Sequence, residues 1–218
     1  MKNKIKVLVI IALTAVIGFS IVSCGNITKD DDQNDEIIDG SSKDYDYSES
    51  DGKITITKYK GEGENVIIPS KIKGKPVTRI GPGNYNGSIL STYAFASNHS
   101  IISVTIPNSV ASIGNSVFSG CTSLTSVIIP DSVTSIGMSA FSNCTSLTSI
   151  TIGSGVTIIE DWAFSNCTNS LTSIRFEREG INIYSKFNYE LQTAYSDGGI
   201  GTYTRPNTSS NTWTKISN

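Results

Sequence analysis

Ser123-Leu124-Thr125-Ser126-Val127-Ile128-Ile129-Pro130 is preceded 23 residues earlier by Ser100-Ile101-Ile102-Ser103-Val104-Thr105-Ile106-Pro107, and followed 23 residues later by Ser146-Leu147-Thr148-Ser149-Ile150-Thr151-Ile152-Gly153. The same spacing carries Val110, Val133 and Val156; Ile113, Ile136 and Ile159; Phe118, Phe141 and Phe164; and Cys121, Cys144 and Cys167. Matches this dense at one period mark stacked repeats: one unit cannot bury its own apolar side chains, so successive units bury them against each other. Leu-x-x-Val-x-Ile alternates as a short strand with its apolar residues inward. Pro130 ends that strand because it has no N–H to give to a ladder. The Ser132-Val133-Thr134-Ser135-Ile136 that follows is a second extended piece turned by Gly137, and Ser139-Ala140-Phe141-Ser142 reads as a short helical turn.

The repeat extends in both directions with distortions. A further copy begins at Leu171-Thr172-Ser173-Ile174-Arg175-Phe176, displaced by one inserted residue near Asn169. Upstream, Val66-Ile67-Ile68-Pro69, Val77-Thr78-Arg79-Ile80-Gly81 and Ala94-Phe95 form a diverged first copy, stretched by an insert from Pro82 to Leu90 that contains Tyr85. The product expected from stacking is a solenoid with a parallel sheet along one face.

The unit from Leu124 to Ser146 resembles the leucine-rich repeat of the BspA-like bacterial surface proteins. The resemblance covers Ile54 to Phe176, since Ile54-Thr55-Ile56-Thr57-Lys58-Tyr59-Lys60-Gly61 is similar to that family's leading strand. It implies an α/β solenoid of leucine-rich-repeat type over residues 52–179, with 23-residue coils, a parallel β-sheet on one face and short helical turns. Residues 180–218 are then a non-repeat C-terminal cap. The departures are the stretched first copy, Gly153 in place of the proline, and the C-terminal region. Members are exported or surface-attached, and the resemblance implies binding to host matrix proteins or neighbouring bacteria.

The N-terminus reads as an address. Lys2, Lys4 and Lys6 precede an apolar run from Val7 to Val22, the charged and hydrophobic regions of a secretory signal. Its 16 residues fall short of the roughly 20 that span a bilayer. Ile21-Val22-Ser23-Cys24 resembles the bacterial lipobox, so residues 1–23 are expected to be a removable signal peptide and Cys24 the lipidated mature N-terminus. Between Gly25 and Asp51 ten acidic residues face only Lys29 and Lys43. With little to bury, residues 24–51 are expected to be a disordered acidic tether. Lys29-Asp30-Asp31-Asp32 is either a solvated charge run or, by resemblance, an acidic export signal.

Composition excludes several classes. Residues 52–218 carry 12 basic against nine acidic side chains, too weak and scattered an excess for nucleic acid. One histidine, His99, and four cysteines without a CxxC pair leave few ligands for a transition metal, so neither metal nor cofactor is expected. Neither a G-x-G-x-x-G, a P-loop nor a nucleophile elbow is present, and His99 has no carboxylate or nucleophile at a convincing spacing. The chain is therefore read as a non-catalytic binding module. Its expected home is the cell envelope, lipid-anchored and exposed at the outer membrane, as an adhesin for a protein or glycan; a periplasmic scaffold is the alternative.

The candidate contact residues are those pointing outward on the strands: Ile102, Ser103 and Thr105; Thr125, Ser126 and Ile128; Thr148, Ser149 and Thr151; Thr172, Ser173 and Arg175. Solenoids present such positions as one surface, although β-branched residues also favour strands for their own sake. In the tail, Gly201-Thr202-Tyr203-Thr204-Arg205 and Asn211-Thr212-Trp213-Thr214-Lys215 suggest a hairpin. Its Tyr203, Arg205 and Trp213 either cover the solenoid end or receive a sugar or peptide. Cys121, Cys144 and Cys167 form a row, either packed as free thiols or with two of them joined as a disulfide.

Overall fold

The computed structural model describes residues 43–81, 94–167, 170–184 and 189–216, all within one compact unit, residues 36–218. The signal sequence, Cys24, most of the tether, the insert around Tyr85 and the extra residue near Asn169 lie outside the described residues.

The described chain enters through a hairpin of β1 (Tyr45–Ser50) and β2 (Lys53–Tyr59), followed by β3 (Asn65–Ile67), β4 (Lys71–Ile72) and β5 (Lys75–Ile80). Each later coil adds two strands: β6 (Ser103–Thr105) and β7 (Ser112–Ile113), β8 (Ser126–Ile129) and β9 (Ser135–Ile136), β10 (Ser149–Ile152) and β11 (Ile158–Ile159), β12 (Ser173–Phe176) and β13 (Asn182–Ile183). A helix, α1 (Tyr189–Gly198), and the strands β14 (Gly201–Thr204) and β15 (Thr214–Ile216) complete it. The first strand of each coil joins a seven-stranded sheet ordered β15-β14-β12-β10-β8-β6-β3. The second joins an eight-stranded sheet ordered β1-β2-β5-β7-β9-β11-β13, with β4 beside β5.

Two sheets therefore replace the single one expected. Stacking in register gives every extended piece of a coil an equivalent partner above and below, so the short Ser135–Ile136 piece pairs with Ser112–Ile113 and Ile158–Ile159 just as the longer strand does. Val127 opposes Ile150 and Ile150 opposes Ile174, which places the one-residue slip between Ile152 and Ser173. Val127, Ile129, Val133, Ile136, Phe141, Cys144 and Leu147, with their equivalents in the neighbouring coils, are buried as one continuous core. The four phenylalanines stack with centroids 4.9 Å (Phe95–Phe118), 5.1 Å (Phe118–Phe141) and 5.3 Å (Phe141–Phe164) apart.

The expected turn forms as a single bonded turn and not as a helix, which refines the α/β class: the molecule is a β-solenoid whose described residues contain one helix, outside the coils. Ser139 and Asn143 adopt φ of 56° and 58°, and a left-handed residue at each end leaves no room for a right-handed helix between them. Ser142 N–H closes a single turn on Ser139 O at 3.0 Å, and the other turn residues bond across coils, Phe118 N–H to Ala140 O at 2.8 Å and Phe141 N–H to Ala163 O at 2.7 Å. The left-handed positions recur as Ser116, Ser139 and Trp162, and as Ser97, Gly120, Asn143 and Asn166.

Both domain boundaries move outward. Asp51-Gly52, read as the tether's end, is the turn of the β1–β2 hairpin, with φ of 52° and 70°. An Asp-Gly pair supplies the positive φ that a tight hairpin turn demands. Tyr45, placed in the disordered tether, is 6% exposed against Tyr59 and Phe95 and donates its hydroxyl to Ile67 O at 3.2 Å. At the other end β13 pairs with β11, so the last coil runs to Ile183 and not to residue 179. The cap then begins with α1, and its β14–β15 hairpin is antiparallel as the tail sequence suggested, continuing the seven-stranded sheet from β12.

Candidate functional site

The outward side chains of the seven-stranded sheet form two rows. Asn65 opposes Ser103, then Ser126, Ser149, Ser173, Thr204 and Thr214. In the second row Ile67 opposes Thr105, and Ile128 opposes Thr151, then Arg175, Thr202 and Ile216. Ile128 is the most open large apolar residue described, 68% exposed. Ser100 to Ile159 contains a single Asp, Glu, Lys or Arg, Asp131. The face across β6, β8 and β10 is therefore neutral, made of hydroxyls around one isoleucine. Charge appears only beyond it, where Arg175 Nε bonds Glu177 Oε1 at 3.0 Å.

The candidates do not all remain free to bind. Thr125, Thr148 and Thr172 point their hydroxyls to the carbonyls of Ile102, Thr125 and Thr148 at 3.2, 3.0 and 3.4 Å, carbonyls that already receive the same residues' N–H groups. They tie coil to coil. Ser103 bonds Asn65 at 2.6 Å, and Ile102, 39% exposed, lies one residue before β6. Ser126, Ser149, Thr105 and Thr151 stand on the face beside Ile128. The sequence reading missed Ile67, Thr202 and Ile216 in the same row. The Val66-Ile67-Ile68-Pro69 copy held the signal for Ile67, but nothing local told that the tail would extend this sheet.

The tail candidates are corrected. Tyr203, Arg205 and Trp213 are 1%, 5% and 7% exposed, so they belong to the cap and offer no contact surface. Arg205 donates from Nε to Leu171 O at 2.7 Å and from Nη1 to Ser210 O at 3.1 Å, and its guanidinium lies 5.2 Å from the Trp213 ring centroid. Burial pulls the Arg205 pKa down, and carbonyl bonds with the indole face hold the cation in place. Tyr203 donates to Gly199 O at 2.6 Å, tying β14 to the end of α1.

Cys121, Cys144 and Cys167 are free, buried thiols. Their Sγ atoms donate to Phe95 O (3.2 Å), Phe118 O (3.2 Å) and Phe141 O (2.9 Å) in the coil before. Burial pushes the Cys121 thiol from its ordinary value near 9 up to about 12; a hydrogen bond with Cys167, together with burial, pushes Cys144 up as well. The same bond with Cys144 pulls Cys167 down; the thiolate is the reactive form, so in the folded protein Cys121 and Cys144 should resist alkylation at about pH 8, while both react once it is unfolded. Because the folded-state pKa of Cys121 is raised, its stabilisation is complete below the ordinary thiol value and is lost as pH climbs toward about 12. Rapid alkylation of Cys121 or Cys144 in the native state, located by peptide mapping, would refute this packing.

His99 is exposed, with Nδ1 3.0 Å from Thr122 Oγ1. Among the described residues, no group of three His, Cys, Asp or Glu side chains is placed to hold a metal ion.

Comparison with known proteins agrees with this geometry. The BspA type leucine rich repeat region matches residues 88–195 in six copies. A leucine-rich repeat protein from Bacteroides capillosus, solved by crystallography, is 29% identical over 62% of this chain and 94% of its own, with a TM-score of 0.51. A T. pallidum leucine rich repeat protein is 25% identical over 63% of this chain and 71% of its own, with a TM-score of 0.48. Among curated proteins none matches. The in-register coils, the buried aliphatic and phenylalanine columns and the six matched copies together place residues 88–195 of this chain in the BspA-type leucine-rich-repeat family.

Proposed function

We propose that this chain is a non-catalytic binding module of the bacterial cell envelope, held through a lipid on Cys24 and working as an adhesin for a protein or glycan. The observation that carries the reading is the neutral outer face of β6, β8 and β10, with Ile128 68% exposed among serines and threonines. A rigid sheet presents these side chains without an ordering cost on binding. A face without charge favours a partner that is itself neutral where it touches, since stripping water from a charge without pairing it is unfavourable. The lipobox-like Ile21-Val22-Ser23-Cys24 supports the anchor.

Antibody labelling of intact against permeabilised cells tests the location, with a periplasmic marker as control. Labelling of intact cells is expected. Labelling only after permeabilisation would overturn the adhesin reading and leave an envelope scaffold. For the face, Ile128→Glu is expected to weaken retention on the bound matrix protein, glycan or cell about tenfold, as loss of a central apolar anchor does, with an unchanged unfolding midpoint. Equal retention of the variant and the parent would remove the sheet face from the site.

A further inference from the structure

Within the two outward rows of the seven-stranded sheet one side chain carries charge. Thr151 opposes Ile128 on one side and Arg175 on the other, and Arg175 opposes Thr202 beyond it, so Arg175 stands inside the sheet with a strand on each flank. Every other member of the rows is Asn, Ser, Thr or Ile. Ile128 and Arg175 lie two strand spacings apart along one row, roughly 10 Å. The Arg175 side chain is 43% exposed, and its Nε donates to Glu177 Oε1 at 3.0 Å. Glu177 follows β12 as Gly153 follows β10, giving its N–H to Ile152 O at 3.0 Å, so it sits at the border of the face. A guanidinium carries five N–H donors in a planar fork, and this pair uses the one on Nε. Among the described residues nothing takes the donors of Nη1 and Nη2. Those two atoms form the end of the fork that meets a carboxylate through parallel bonds. With Nε anchored, that end is set before a ligand arrives, which lowers the ordering cost of binding.

We propose that Arg175 determines the specificity of this face by taking the carboxylate of an aspartate or glutamate on a partner protein, while an aliphatic side chain of the same partner segment covers Ile128. Because Glu177 offsets the net charge, the selection comes from the short paired bonds and not from a long-range field. The charge pattern also selects the class of partner. An acidic polysaccharide repeats its charge along the chain and would lay further carboxylates over hydroxyls that carry no countercharge, where they lose water without gaining an ion pair. A protein segment presents one carboxylate beside neutral residues. The inference rests on the binding-module reading and deepens it at the same face.

The test immobilises capped serine peptides that carry one leucine and one glutamate three residues apart, roughly 10 Å in an extended chain, and measures retention of the purified chain. Parallel surfaces carry the same peptide with glutamine in place of glutamate, and polygalacturonate. Retention is expected on the glutamate peptide and about tenfold weaker retention on the glutamine peptide. Arg175→Gln is expected to hold both peptides equally at the weaker level, and Arg175→Lys, which keeps the charge without the fork, to fall between. Both variants should keep the parent's unfolding midpoint, since the ion pair they alter is exposed. No retention on any surface, equal retention of the two peptides by the parent, an unchanged preference in Arg175→Gln, or Arg175-dependent retention of polygalacturonate in place of the peptide would each overturn the proposal. Any of these alongside weakened retention of Ile128→Glu on the surface partner would remove Arg175 from the site and leave the Ile128 face standing.

Discussion

Phe141→Ala is expected to lower the unfolding free energy by about 3–5 kcal/mol. The ring is fully buried, stacked 5.1 Å from Phe118 at an interplanar angle of 13° and 5.3 Å from Phe164 at 6°. Its loss opens a void between two coil interfaces at once, and the backbone bonds from Phe141 N–H to Ala163 O and from Phe118 N–H to Ala140 O hold the coils apart so that neither can collapse into it. Stability in a solenoid is close to a sum of unit and neighbour terms, so one central ring affects both neighbours. Chemical unfolding checks it, with Thr148→Ala as the comparison: that change removes one hydroxyl from a carbonyl that keeps its N–H donor, and should cost about 1 kcal/mol. Equal losses in the two variants would contradict the inward and outward assignment.

Restoring at Gly153 the proline of the two preceding coils is expected to harm the protein. Gly153 stands where Pro107 and Pro130 stand in earlier coils, yet its N–H donates to Ile129 O at 3.0 Å. A Cβ there would lie 2.6 Å from Ile129 O and 2.7 Å from the Pro130 carbonyl carbon. Two residues on, a Cβ on Gly155 would meet Asp131 O at 1.8 Å. These atoms belong to backbone, which cannot rotate aside as a side chain could. Gly153→Pro, by losing a bond and forcing the coils apart, should destabilise by about 3 kcal/mol, and Gly155→Ala by a similar amount. Unfolding midpoints equal to that of the parent in both variants would mean that this approach relaxes freely.

Much of the solenoid was legible because the repeat states its own contacts. Leu124, Val127, Ile129, Val133, Ile136, Phe141 and Cys144 could be placed inside from a 23-residue period alone, since equivalent positions in stacked units must meet. The buried thiol row followed from the same logic. Ser139 to Ser142 closes one turn through the Ser142 N–H to Ser139 O bond, while the Phe141 and Asn143 N–H groups go to the next coil, lateral bonds about which local propensity says nothing. Tyr45 was lost to the tether because the acidic composition around it outweighed Asp51-Gly52, a turn signal visible in the sequence.

Sequence by itself determined the coil, its period and its inward columns, because each of these is carried by residues near one another in the chain or spaced by a constant step. Tertiary structure decided what depends on partners at no fixed spacing. Tyr203 packs against Phe176 and Tyr195 with centroids 5.9 and 6.4 Å away, and Arg205 closes on Leu171 O and Trp213. An aromatic-rich tail that could have been a binding site is therefore a cap, because β12 leaves an unpaired edge at the end of the stack and burial there stabilises the tail more than exposure would.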